Sequence, residues 1–150
     1  MDRSVADELA IRNLVARYCH AIADRDDKAW AECWSADAEW SVLGQVSSGR
    51  EAILARYQSL IGGLRFVEQV ATDGAIDLEG ETARGRWRIS ETIFPKQGPA
   101  MVNRGSYTDT YRRDRDGAWQ FARREFKANY FGAPELSAEP RPSSGWLSAK

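Results

Sequence analysis

The sequence of 150 residues contains one histidine and two cysteines, and both shortages limit its chemistry. Cys19 and Cys33 form no CxxC pair and have no metal-ligand spacing, so we expect buried thiols in a reducing cytoplasm and no metal site. No apolar run approaches the ~20 residues of a membrane span, and the acidic N-terminus lacks the apolar centre of a signal peptide. The net charge of -1 gives no electrostatic reason to expect nucleic acid or a membrane surface as partner.

The single histidine, His20, lies four residues before Asp24, which on a helix places both side chains on one face. The apolar stripe of the same helix is formed by Ile11, Leu14, Tyr18 and Ile22, on the opposite side from His20. We therefore expect His20 to face solvent. The direction of Asp24 stays open, because the helix ends near it.

The periodicity of apolar residues changes along the chain from helical to alternating. Helices are predicted over 4–23, 27–34 and 50–60, the last from the capping box formed by Ser48 and Glu51. Strands are predicted over 39–43, 66–77, 82–94, 100–113 and 118–131. Glycine-containing hairpin turns join the second strand to the third and the fourth to the fifth. The order predicts an α+β fold in which three N-terminal helices pack on a curved antiparallel sheet. We expect one domain over 1–131 and a proline-rich arm over 132–150 anchored by Trp146.

The strand over 82–94 carries an acidic residue on its apolar face. Its odd positions are apolar at Trp87 and Ile89, whereas its even positions are arginines, so the odd face should point inward. Glu91 falls on this inward face. A buried carboxylate has a raised pKa, which suits a general acid or base, although a structural ion pair would also explain it.

Two further strands contribute polar candidates. Asn103 and Tyr107 share a face of the strand over 100–113 and could hold a substrate oxygen. In the strand over 118–131 the apolar residues change face, which predicts a β-bulge near Arg124. Either Arg124 or a set that includes Lys127 then points inward, and the pattern does not decide between them.

Several segments resemble one known family. They are RYCHAIADRD, AWAECWSADAEW, SSGREAI and SYTDTYRRDRDGAWQFARREFKANYF, and the resemblance covers about residues 6–131. The chain resembles the SnoaL-like branch of the NTF2-like superfamily, and within it the hexachlorocyclohexane dehydrochlorinases and, more distantly, the scytalone dehydratases. The resemblance implies a cone-shaped α+β barrel with a deep apolar pocket, no cofactor, and a homo-oligomer such as a dimer or trimer.

The resemblance also implies site residues. The family uses a histidine base held by an aspartate at the end of the first helix. Here the histidine position matches Gln69, and the aspartate position matches Ala23, or Asp24 with a one-residue shift. The family arginine matches Arg124. Family pocket positions match five residues, namely Trp40, Trp87, Ile89, Asn103 and Tyr107.

Three functions fit these observations. The first is a cofactor-independent lyase in which Asp24 or Glu91 moves a proton, and Tyr107 and Arg124 or Lys127 act on the departing oxygen. Dehydration and retro-aldol cleavage of a hydroxylated aromatic or polycyclic substrate both suit it, with Tyr18 and Phe126 added as pocket walls. The second function is a non-catalytic module that binds an aromatic ligand. The third is a structural subunit similar to the β subunit of ring-hydroxylating dioxygenases.

Overall fold

The computed structural model describes residues 2–138 and 140, and every helix and strand predicted above is present. The helices are α1 (Arg3–Asp24), α2 (Asp27–Glu32) and α3 (Arg50–Ile61). The strands are β1 (Trp34–Val42), β2 (Gln45–Ser48), β3 (Leu64–Glu79), β4 (Thr82–Pro95), β5 (Met101–Arg113) and β6 (Trp119–Gly132). The short strand β2 was not predicted.

The first helix has the predicted buried stripe and well-defined ends. A carboxylate oxygen of Asp2 accepts the Ser4 backbone N–H at 3.3 Å and satisfies one of the free donors of the first turn. At the other end Arg25 adopts a left-handed conformation with φ 53°, and its N–H returns to the last carbonyls of α1. The helix therefore ends at Asp24, with Ile11, Leu14, Tyr18 and Ile22 buried beneath it.

The predicted capping box of α3 is wrong. The residue that begins the helix is Gly49, with φ 88°, and no side chain caps the first turn. Ser48 instead pairs with Glu39 as the last residue of β2, so its side chain is not in the capping position. Glycine tolerates the positive φ that the chain needs between strand and helix.

The second helix is shorter than predicted, and the strand after it begins earlier. α2 ends at Glu32, and Trp34 is the first residue of β1, where it pairs with Phe121 of β6. The indole of Trp34 is fully buried. Tertiary pairing has replaced the last helical turn that the apolar spacing predicted.

The six strands form one open mixed sheet in the order β2-β1-β6-β5-β4-β3. β1 runs parallel to β6, whereas all other neighbours are antiparallel. The predicted α+β fold with three N-terminal helices on the sheet is confirmed. The sheet is mixed where an antiparallel one was predicted, and it is open, since β2 and β3 are edge strands. The parallel pair joins segments about eighty residues apart, which local periodicity does not report.

The inward and outward faces of the sheet follow the predicted alternation in β4. Trp87, Ile89 and Ile93 are buried, and the arginines at the even positions are exposed. In β6 the predicted bulge occurs at Ala122, because Thr110 pairs with Arg123 and Tyr111 with Phe121. The bulge decides the alternative left open by the sequence: Arg124 points inward, and Lys127 points outward.

The helices cover one face of the sheet, and aromatic side chains fill the space between them. Trp30 of α2 stacks on Tyr57 of α3 with ring centroids 4.0 Å apart. Tyr18 of α1 contacts Trp30 and Trp34 edge to face or tilted at 5.5 and 6.1 Å. These contacts fix α1, α2 and α3 against β1 and leave a cavity beside the aromatic cluster.

The chain beyond β6 is described only in part. The Tyr130 hydroxyl donates to the Ala133 carbonyl at 2.6 Å and accepts the Ala138 N–H at 3.3 Å, which holds the first residues after the strand. Residue 139 and residues 141–150, with the predicted anchor Trp146, lie outside the described residues. The domain boundary at 131 stays a prediction. Among the residues described, no helix has the length and hydropathy of a membrane span.

Gly105 in β5 lies where another strand and a ring approach closely. A Cβ atom at this position would lie 2.2 Å from the Lys127 carbonyl oxygen and 2.7 Å from the Phe126 ring. We expect Gly105→Ala to lower the free energy of unfolding by about 2 kcal/mol or more, because backbone must move to relieve the overlap. Gly63→Ala is the matched control, since a Cβ there meets no atom within 4 Å. Urea denaturation of both variants measures the difference, and equal stabilities would contradict this packing.

Candidate functional site

A cavity of about 200 Å³ lies between the helices and the inward face of the sheet. Its wall is apolar over most of its area and also carries seven side chains with a polar atom, namely Tyr18, Trp40, Tyr57, Gln69, Glu91, Asn103 and Tyr107. Leu43 and Phe131 belong to the wall as well, and both are exposed to solvent. An apolar cavity with a few convergent polar groups is typical of a small-molecule site.

Three polar side chains form a row across the floor of this cavity, which we name the carboxylate row: Gln69, Glu91 and Asn103. They lie directly opposite one another on β3, β4 and β5. Gln69 donates its side-chain N–H to Glu91 Oε2 at 2.8 Å, and Asn103 donates to Glu91 Oε1 at 3.4 Å. Each oxygen of the carboxylate therefore has one neutral amide donor.

Glu91 has no cationic partner within ion-pair distance among the described residues. Burial raises the pKa of its carboxyl group, because desolvation penalises the charged form more than the two amide hydrogen bonds favour it. Such a group can accept a proton and return it within one reaction cycle. The structural ion pair considered as an alternative for Glu91 is absent from the described part of the chain.

Two tyrosines and a tryptophan form the second polar group of the cavity. The Trp40 indole N–H donates to the Tyr107 hydroxyl at 3.1 Å, and the hydroxyls of Tyr18 and Tyr107 are 3.3 Å apart. Burial raises the pKa of both phenols, so both keep their protons. One phenolic proton forms the hydrogen bond between the two hydroxyls. The other phenolic proton has no acceptor among the described residues. It is therefore available to a ligand oxygen.

A buried ion pair lies behind the two tyrosines. Arg124 donates through Nε to Asp109 at 2.8 Å, and its guanidinium carbon lies 3.8 Å from the Tyr107 ring centre and 4.4 Å from that of Tyr18. Tyr111 donates to the other Asp109 oxygen at 2.6 Å and accepts the Trp87 indole N–H at 2.8 Å. Asp109 keeps the guanidinium protonated and raises its pKa. The pair fixes the tyrosine rings in place.

The structure brings seven of the predicted site residues to the cavity wall: Tyr18, Trp40, Gln69, Glu91, Asn103, Tyr107 and Phe126. Arg124, Trp87 and Ile89 are buried but do not line the cavity. Arg124 and Trp87 belong to the network behind the wall, and Ile89 belongs to the core.

The placement of Asp24 and Lys127 in the site needs correction. Asp24 is exposed at the last turn of α1, where with the exposed His20 it borders a separate surface cleft. The side chain of Lys127 is 77% exposed and pairs with Glu125 at 3.5 Å. The bulge at Ala122 turns Lys127 outward, and the end of α1 turns Asp24 away from the cavity, so neither reaches a ligand there.

Two residues of the site region escaped the sequence reasoning. Asp109 is buried beside Arg124, and Tyr57 of α3 lines the cavity. Asp109 shares the inward face of β5 with Tyr107, so the argument that selected Glu91 on β4 would have selected it as well. The helical spacing of α3 does not distinguish Tyr57 as a cavity residue, because spacing predicts only that it lies on the buried face of the helix.

The Arg124–Asp109 pair should carry a large part of the stability. Arg124 is 1% exposed, so removing its charge leaves the buried carboxyl group of Asp109 without its cation. We expect Arg124→Met to lower the free energy of unfolding by about 3–5 kcal/mol. The exposed Arg86 on the outer face of β4 is the control, and Arg86→Met should change the free energy of unfolding by less than about 0.5 kcal/mol. Guanidinium denaturation compares the two variants, and similar losses of stability would contradict this role of the ion pair.

The ionisation of Glu91 should reduce stability as pH rises. The folded protein holds this proton to higher pH than the unfolded chain does, so folding loses free energy above the pKa of the unfolded carboxyl. Glu91→Gln removes this cost. The variant should therefore gain stability over the parent protein, and the gain should be larger at about pH 8 than at about pH 4. Denaturation at both pH values measures it, and a gain that does not grow with pH would show that Glu91 is not desolvated.

Comparison with known proteins places this geometry in a family. A family model of the SnoaL-like domain matches residues 3–125, and no curated protein matches the sequence. A scytalone dehydratase-like protein from Novosphingobium aromaticivorans is 20% identical and covers 95% of this chain and 98% of its own, with TM-score 0.84. The hexachlorocyclohexane dehydrochlorinase LinA-type3 from Novosphingobium barchaimii is 23% identical over 93% and 97%, with TM-score 0.78. A protein of unknown function from Mycobacterium tuberculosis is 26% identical over 95% and 80%, with TM-score 0.78. The chain belongs to the SnoaL-like domain family and has its NTF2-like, cone-shaped α+β fold.

Proposed function

We propose that this protein is a cofactor-independent lyase that uses Glu91 as its general base. The observation that carries the proposal is a half-buried carboxylate on the wall of an apolar cavity, whose hydrogen-bond partners among the described residues are neutral amides. A carboxyl group in these surroundings has a pKa nearer to neutral pH than an exposed one, which suits proton transfer in both directions. Asp24 is on the surface, so of the two predicted bases Glu91 is the one that lines the cavity in the described part of the chain.

The tyrosine pair supplies the complementary group. In a dehydration, Glu91 takes the proton beside a carbonyl group, the C–H electrons form the new C=C bond, and the C–O bond breaks. Protonated Glu91 gives its proton to the departing hydroxide, which leaves as water. The free phenolic proton of Tyr18 or Tyr107 stabilises the negative charge that develops on the carbonyl oxygen.

A retro-aldol cleavage uses the same groups in another order. Glu91 takes the proton of a hydroxyl group, that oxygen becomes a carbonyl, and the neighbouring C–C bond breaks. The electrons of that bond form an enolate, whose oxygen accepts a hydrogen bond from the tyrosine pair. Glu91 then returns its proton to the enolate carbon, so that protons and electrons balance. Both reactions need a hydroxyl beside Glu91 and a carbonyl beside the tyrosines.

The names of similar proteins fit an elimination reaction. One similar structure is named for a dehydratase and another for a dehydrochlorinase, and neither name requires a redox cofactor. Homo-oligomerisation and a cytoplasmic location remain predictions from the sequence.

A binding module for an aromatic ligand is the second candidate. The observation that favours it is the loss of the expected acid–base dyad, because Gln69 stands in the histidine position and Asp24 points to solvent. In this case the cavity would bind the same ligands without converting them. Turnover separates the two candidates.

The aldol adduct of benzaldehyde and acetone tests the proposal, because it carries a β-hydroxy ketone on an aromatic ring. Dehydration would release water and form a conjugated enone with a new ultraviolet band, whereas retro-aldol cleavage would release benzaldehyde and acetone. We expect Glu91→Gln to lower the rate of the observed reaction, on this adduct or a larger-ring homologue, by about 10²-fold or more.

Two controls make the assay specific. Glu68→Gln changes an exposed carboxylate that adjoins Gln69 in β3, and His20→Ala changes the exposed histidine of α1. Both should keep the parent rate within about twofold, since surface substitutions have small effects. Full turnover by Glu91→Gln would refute Glu91 as the base, and absence of turnover by the parent protein on every homologue would favour the binding module.

A further inference from the structure

Two acceptors in the carboxylate row have no hydrogen-bond donor. Gln69 Oε1 and Asn103 Oδ1 are both buried, and neither has a partner among the described residues. Both amides direct their N–H groups to Glu91, so their carbonyl oxygens are left over. Reversing either amide would place a carbonyl oxygen against the ionised carboxylate, which is unfavourable. The orientation of the amides is therefore fixed by Glu91.

The three side chains of the row are immediate cross-strand neighbours. Gln69 pairs with Glu91 in register, and Glu91 pairs with Asn103. Neighbouring strands lie about 4.8 Å apart, so the two unpaired oxygens flank the carboxylate within about 10 Å. With Glu91 ionised, every hydrogen-bonding position that the row leaves free is an acceptor. The row has nothing to offer an ether, a halogen or a carbonyl group.

We propose that the carboxylate row selects ligands that present a hydroxyl or N–H donor to it, and that hydroxylated aromatic compounds of one or two rings are the ligand class. A buried acceptor without a donor is costly, and a ligand hydroxyl that satisfies it removes this cost. A site built in this way discriminates strongly against an analogue without the donor. The cavity of about 200 Å³ is smaller than the ~300–1,000 Å³ of sites for drug-sized ligands, which limits the ring number.

The tyrosine pair lines the same cavity and has the reverse polarity. The free phenolic proton of Tyr18 or Tyr107 is a donor, so a ligand oxygen that accepts belongs there. The cavity therefore orients a hydroxy-carbonyl compound in one direction, with the hydroxyl at the row and the carbonyl at the tyrosines. A ligand carboxylate at the row would meet the charge of Glu91 and is excluded.

This inference rests on the same cavity as the proposed function, but it concerns binding and not turnover. Three probes share one ring system and differ only in the substituent: 1-naphthol, 1-methoxynaphthalene and 1-chloronaphthalene. Trp40 lines the cavity, so quenching of tryptophan fluorescence reports binding. We expect 1-naphthol to bind about 10-fold more tightly than the other two.

Substitutions in the row should remove this preference. Asn103→Leu and Gln69→Leu each keep the volume and delete one unpaired acceptor, together with the N–H that the same amide donates to Glu91. Each should reduce the preference to about threefold or less. Two separate variants are used so that loss of one protein to misfolding leaves the other as the test. Met101→Leu is the matched control at an apolar position of the wall, and it should keep the preference.

The outcomes separate clearly. Equal binding of the three probes by the parent protein overturns the inference. A preference that survives both leucine variants overturns it as well, and so does failure of all three probes to bind. A preference abolished by the row variants supports it whether or not the protein turns over any substrate. Conversely, loss of activity in Glu91→Gln without any preference for the hydroxyl probe would support Glu91 as the base and contradict only the proposed selectivity.

Discussion

The desolvation of Glu91 is the constraint on which the rest of the site depends. An ionised carboxylate in an apolar cavity is costly unless it is paired, and the protein provides two amide donors in place of a cation. The amides hold the side chain in position without neutralising it, so the pKa of the carboxyl group stays raised.

The second buried acid of the molecule shows the alternative solution. Asp109 is paired with Arg124 and accepts a further hydrogen bond from Tyr111, so its charge is compensated on both oxygens. This network lies behind the cavity wall and supports the rings of Tyr18 and Tyr107. Burial raises the pKa of Asp109 as well, because desolvation outweighs the effect of Arg124 and Tyr111. The two acids therefore differ in place and partners: Asp109 lies behind the wall beside a cation, whereas Glu91 lines the cavity beside two neutral amides.

Local patterns in the sequence were sufficient where a single element decides the outcome. Alternation along β4 placed Glu91 on the inward face, and the helical stripe of α1 placed His20 in solvent, as observed. The bulge in β6 was also visible, because the apolar residues change face there. The sequence did not show on which side of the strand Arg124 and Lys127 lie, since that depends on where the bulge begins.

Features that depend on distant pairing could not be read from the sequence. The parallel contact between β1 and β6 converts the last turn predicted for α2 into strand and makes the sheet mixed. Ser48 has the spacing of a helix cap but is taken by pairing with Glu39. Asp24 lies at a helix end, where periodicity gives no direction. For α2 and Ser48 a long-range contact replaced a local preference of about 1 kcal/mol.

The pKa of Glu91 tests the central claim most directly. Carbon-13 NMR of the side-chain carboxyl groups would follow the titration of Glu91, with its signal assigned by its loss in Glu91→Gln. The account predicts a pKa of Glu91 above the ordinary value of a glutamate carboxyl group. A pKa at or below that ordinary value would show that the cavity does not desolvate the carboxylate, and the assignment of Glu91 as a base would fail.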